Sequence, residues 1–155
     1  MSKIHCIGIK DPDSGKKKLY GPDEIPTVLK VLAEADEIWG HNSIAYDIPA
    51  IQKIYPDFKI KGQVRDTMIC ARLIWPDIKP KDSQRKRLPN KLKGSHSLEA
   101  WGYRLGKYKG DFQGPWETYT DEMGLYCLQD VEVTHKLLDK ICIYKEFVWY
   151  KEHRL

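Results

Sequence analysis

No apolar run in this chain approaches the roughly 20 residues that a membrane-spanning helix needs, and the start Met1-Ser2-Lys3-Ile4-His5 lacks the layout of a secretory signal. A cytoplasmic setting without membrane contact is therefore expected. None of the four cysteines, Cys6, Cys70, Cys127 and Cys142, stands in a Cys-x-x-Cys pair, so buried free thiols are expected rather than disulfides or zinc ligands. Internal repeats and low-complexity tracts are absent. Acidic residues all but vanish from one stretch: between Ile78 and Lys93 only Asp82 opposes Lys79, Lys81, Arg85, Lys86, Arg87, Lys91 and Lys93. That density in a Pro-, Ser- and Asn-containing run predicts a basic loop over 78–93 that favours a polyanion in a salt-dependent way.

What is present fits one globular domain over residues 1–155, with 41% hydrophobic and 31% charged residues. Alternation from Ile4 to Ile9, the turn residues Asp11-Pro12-Asp13-Ser14-Gly15 and the return at Lys18-Leu19-Tyr20 predict a hairpin. Ile25, Val28, Leu29 and Leu32 at helical spacing predict an amphipathic helix to about Ala35, opened by Asp23 and Glu24. Glu37-Ile38-Trp39-Gly40 reads as a short buried strand running into His41-Asn42-Ser43-Ile44-Ala45-Tyr46-Asp47. Asp47 is expected to cap a helix that ends at Tyr55-Pro56, and Asp66 to cap another ending at Trp75-Pro76. Ser95 and Ser97 offer hydroxyl caps for a helix carrying Leu98, Trp101 and Leu105, which Gly106 ends.

The longest periodic segment runs from about Asp121 to about Tyr144, with Met123, Cys127, Val131, Leu138 and Ile141 near helical spacing and Thr120 as N-cap. Residues four apart on a helix share a face, so the Tyr126 hydroxyl and the Asp130 carboxylate project together. Alone, a Tyr-x-x-x-Asp pair is a weak signal, because such residues usually serve packing or solvation. The weight comes from the upstream cluster, where His41, Asn42, Tyr46 and Asp47 follow the carboxyl end of a strand in an α/β arrangement, the place where ligands usually bind. The tail from Tyr144 to Leu155, with Phe147, Trp149 and Tyr150, reads equally as a terminal helix or the start of a linker.

The strings HNSIAYD, GSHSLEAWGYRLG and YCLQDVEVTHKLL resemble, in order and across essentially the whole chain, the proofreading 3'-5' exonuclease domain of family A DNA polymerases, most closely those of short-tailed phages. The resemblance implies an α/β, ribonuclease H-like fold: a mixed five-stranded sheet flanked by helices. It implies four carboxylates holding two magnesium or manganese ions, with Asp47 matching the acid of the second motif and Tyr126 with Asp130 the third. Asp47, Tyr126 and Asp130 are thus the expected catalytic residues, and Asp47 and Asp130 the metal ligands. The residue types agree, since hard divalent cations that also bind phosphate favour carboxylates. Single-stranded DNA would be held by His41, Asn42, Tyr46 and the basic residues Lys79, Lys81, Arg85, Lys86, Arg87, Lys91 and Lys93.

One departure from the family stands out. Its first motif, an Asp-x-Glu on the first and central strand of the sheet, has no counterpart here; it belongs about ten residues upstream of Ile4. Three expectations follow: the motif is encoded just before Met1, it is supplied by another polypeptide or an exchanged segment in a homo-oligomer, or the fold is an inactive module that binds single-stranded DNA or a replication partner. A polymerase domain is the natural neighbour. Activity of the chain alone is expected to be impaired.

Overall fold

Turn chemistry starts the fold. Asp11 accepts the Ser14 hydroxyl at 2.7 Å and the Asp13 amide at 3.0 Å, and Gly15 takes a positive φ of 72°, so the chain reverses between β1 (Ile7–Lys10) and β2 (Lys17–Tyr20). The strands pair antiparallel, Ile7 opposite Tyr20. In this computed structural model residues 3–108 and 112–152 are described, with side chains as far as residue 143. After a 3-10 turn at Pro22–Glu24, where the expected helix opening lies, come α1 (Ile25–Glu34) and β3 (Glu37–Gly40). Then follow α2 (Asp47–Ile54), β4 (Gln63–Asp66), α3 (Thr67–Ile74), α4 (Lys79–Ser83), α5 (Leu98–Arg104) and α6 (Asp121–Glu152). No described helix is long and apolar enough to cross a membrane.

The protein is mixed α/β, but its four described strands form two separate two-stranded sheets rather than one. β3 and β4 pair in parallel, Gly40 opposite Asp66, so both carboxyl ends lie at one edge. Each of β1 and β3 has a ladder partner on one side only among the described residues.

α6 ties the halves together. On one side Val131 and Cys127 approach β1 so closely that a Cβ on Gly8 would stand 3.0 Å from Val131 Cγ2 and 3.2 Å from Cys127 Sγ. Glu132 reinforces that contact by accepting from Lys10 Nζ at 2.9 Å, with Lys17 Nζ at 3.3 Å, and these amines hold its carboxyl below the usual range, Lys10 dominant. On the other side Val133, Leu137 and Ile141 pack with Ala71 of α3, Trp75 just after it, Ile78, and Trp101 of α5. A second core joins Tyr20, Ile25, Val28, Leu29, Ile51 and Phe58 beneath the hairpin. The expected caps at Thr120 and Ser97 form, each oxygen accepting an amide at 3.2 Å.

Three expectations are corrected. The segment 78–93 is no loop: α4 and a 3-10 turn at Asn90–Leu92 order it, with Leu88 and Leu92 buried against Ala100. Asp47 is the first residue of α2 and makes no side-chain cap bond, the N-cap being Tyr46. The four cysteines form no disulfide with one another, as expected, but they are only partly buried. The backbone of α6 continues past Tyr144, whereas the side chains of Phe147, Trp149 and Tyr150 and residues 153–155 lie outside the described part, as do 109–111 of the linker Tyr108 to Tyr119.

Candidate nuclease site

The crossover from β3 to α2 is shaped by its neighbour strand. Asp66, at the end of β4 and only 4% exposed, accepts three backbone amides: Asn42 at 2.8 Å, Met68 at 2.9 Å and Ile44 at 3.2 Å. The Met68 bond is the expected cap of α3. The other two fix the loop that leaves β3, in which Asn42 adopts the left-handed conformation at φ 61°, tolerable for Asn and uncommon for other non-glycine residues. A Cβ on Gly40 would collide with the Ser43 side chain, so glycine is required where the strand turns into that loop.

His41, expected beside nucleic acid, is engaged inside the protein on both ring nitrogens. Burial pushes its imidazole below the ordinary range and keeps it neutral near pH 7, so Nε2–H donates to the His96 carbonyl at 2.8 Å. Nδ1 faces the Thr67 hydroxyl at 2.8 Å, whose single proton serves it or the Gly40 carbonyl at 3.1 Å. His41 therefore fixes the root of the loop. Tyr46, 58% exposed, and Asp47 stand at its surface end. Asp47 is exposed to solvent, yet the protein packed near its carboxyl, helped by the Asp66 charge, raises that carboxyl above the usual range.

The second cluster lies on α6. Tyr126, Gln129, Asp130 and Val133 line one side of a cleft of about 70 Å³, faced by Leu98, Glu99 and Gly102 of α5 and by Tyr108. Tyr126 also approaches Phe112, ring centroids 6.2 Å apart, and Phe112 meets Trp116 edge-on. The two clusters connect through α3: its N-cap is Asp66, and its Ala71 and its C-cap residue Trp75 pack against α6. The charge that acts on Asp47 is that of Asp66, whereas the field of Asp130 reaches Cys127. Among the described residues no group of three or more His, Cys, Asp or Glu side chains gathers around one point. The donors the sequence points to are two carboxylates, hard oxygen ligands suited to magnesium or manganese but fewer than a two-ion site needs.

The third group is the basic segment. Lys81 and Arg85 line an open surface concavity with Pro80 and Gln84. Its anchor is Asp82, whose buried carboxylate receives Arg104 Nη2 at 2.7 Å, Arg104 Nε at 3.0 Å and the Gly94 amide at 2.9 Å, with Arg85 at 3.6 Å. Lys91 is already near a carboxylate, 4.0 Å from Glu99.

Sequence reasoning missed the loop-fixing role of Asp66 and the presence of Glu99, Gln129 and Tyr108 in the cleft. For Asp66 a signal existed: it ends a strand just as His41 follows one, and the strand-end argument applies to both.

No protein-family model matches the chain. It is 33% identical over 177 aligned residues to the DNA-directed DNA polymerase of Enterobacteria phage T3, and 33% over 178 to that of Escherichia phage T7. Each alignment takes in 95% of this chain and 25% of the relative, so the chain spans about a quarter of the length of these curated relatives. It is similar to one region of a phage DNA polymerase.

Proposed function

We propose, from this likeness to a segment of phage DNA polymerases, that the chain is a 3'-5' exonuclease-type domain acting on DNA 3' ends and releasing nucleoside 5'-monophosphates. The observation that carries the reading is the pairing of Tyr126 with Asp130 on one wall of a cleft, on a helix packed against the element whose cap fixes the Asp47 loop. Asp47 and Asp130 would hold magnesium or manganese, which when bound supplies water activation and charge neutralisation at the phosphodiester. The Tyr126 hydroxyl would orient the attacking water. Tyr46 offers an exposed ring for stacking the terminal base, Asn42 lies beside it, and the basic residues from Lys79 to Lys93 supply phosphate contacts.

The two separate sheets bear on the missing carboxylates. Each of the four described strands has a ladder partner on one side only among the described residues, and a further strand bearing Asp-x-Glu, supplied by the same or another chain, would pair at one of these open edges. Asp47 and Asp130 alone would support little hydrolysis, and a second reading of the chain is a module that binds single-stranded DNA through the exposed Tyr46 ring and the basic segment.

Degradation of 3'-labelled single-stranded DNA with manganese separates these. Weak or no hydrolysis by this chain, restored by an Asp-x-Glu strand added at its amino end and abolished by Asp130→Ala, supports the exonuclease. Failure of the extended chain to cleave supports binding alone, and robust activity surviving Asp47→Ala with Asp130→Ala refutes the site.

A further inference from the structure

Asp66 does more than cap α3. A buried carboxylate is costly unless its oxygens are satisfied, and here they are satisfied by backbone amides from two elements, Asn42 and Ile44 of the crossover and Met68 of α3. We infer that Asp66 is a positioning residue: by gripping the amides of Asn42 and Ile44 it sets the left-handed turn that delivers Tyr46 and Asp47 to a nucleic-acid 3' end. The inference rests on the function proposed above, but the anchoring itself does not.

His41 holds the root of this turn and Asp66 holds its amides. Asn42 at φ 61° gains nothing from its backbone conformation alone, and its carbonyl accepts the Tyr46 amide at 3.0 Å, so holding Asn42 also sets Tyr46. The next bond, Ile48 N–H to the Ser43 carbonyl at 2.9 Å, carries the constraint into the first turn of α2. Displacing the Asn42 amide thus moves Tyr46 and Asp47 with it.

The test uses the full chain and Asp66→Asn, in which the side-chain amide can place its own N–H groups against one of the three donors. Amide exchange at Asn42 and Ile44 should quicken at least about tenfold, as expected when a hydrogen bond to a charged group is removed. Affinity for a short oligothymidylate should fall as far as it does in Tyr46→Ala. Unchanged exchange at Asn42 and Ile44 overturns the positioning role. So does full affinity in Asp66→Asn while Tyr46→Ala binds weakly. If instead Tyr46→Ala binds normally while Asp66→Asn still alters exchange, it is the proposed function that fails. Should Asp66→Asn not fold, the wild type decides: amides of Asn42 and Ile44 exchanging as fast as in an unstructured chain overturn the inference, and strong protection there upholds it.

Discussion

Arg104 meets Asp82 at 2.7 Å with both side chains shut away from solvent, and this pair turns a lysine- and arginine-rich stretch into an ordered surface. Arg104 also lies over the Trp101 ring, 4.7 Å from its centroid, so the core of α5 and the basic segment share one guanidinium. Burial alone would raise the Asp82 carboxyl, but the hydrogen bonds from Arg104 and Gly94 and the charges of Arg104 and Arg85 together hold it below the usual range. Breaking a buried pair by removing one partner leaves the other charge uncompensated.

Asp82→Ala is therefore expected to destabilise the fold by about 3–5 kcal/mol, read from urea unfolding. Because the folded carboxyl is depressed, its contribution is complete above the unfolded carboxylate value and is lost as pH falls through the folded one. The difference between wild type and Asp82→Ala should accordingly shrink in acid.

Asp47 has the opposite sign. Its folded carboxyl is raised by burial and by Asp66, so the charged form is disfavoured in the fold at neutral pH. Asp47→Asn should be at least as stable as the wild type at pH 7, by about a few tenths of a kcal/mol given the solvent exposure of the side chain. That advantage should fade as pH falls through the raised value. Thermal unfolding at pH 7 and pH 4 checks both statements.

Gly8 marks where β1 rests on α6. A valine there would drive branched methyl groups into Val131 Cγ2 and Cys127 Sγ, so a destabilisation of about 1–3 kcal/mol is expected. Urea midpoints of Gly8→Ala and Gly8→Val should fall in that order.

If the concavity at Lys81 and Arg85 holds phosphates, single-strand affinity should depend on salt. Replacing both by alanine should flatten the plot of log affinity against log salt by about 0.7 for each phosphate that is no longer neutralised. An unaltered slope places the phosphates elsewhere.

Much of this is legible in the sequence where local rules dominate. Asp11 to Gly15 has turn chemistry no other conformation uses as well, and Thr120, Ser97 and Asp66 sit at helix starts where a side-chain oxygen is needed. Tyr126 and Asp130 share a face because helical geometry compels it. Long-range relations are not legible. Nothing near Asp82 in sequence announces Arg104, so a charged, Pro-containing stretch reads as a loop although Leu88 and Leu92 are buried. Asp66 is recognised by its neighbour Met68 and not by Asn42, which lies 24 residues away. Asp47 looks like a cap because it begins a helix, yet capping depends on the backbone angles of the preceding residue.

Whether Asp47 and Asp130 serve one cation is the question on which the proposed nuclease stands. Paramagnetic broadening by sub-stoichiometric manganese, followed at both carboxyl carbons, measures this directly. A shared ion broadens both signals together, and Asp130→Asn then removes the broadening at Asp47. Broadening confined to one of them, or persisting at Asp47 without Asp130, would contradict it.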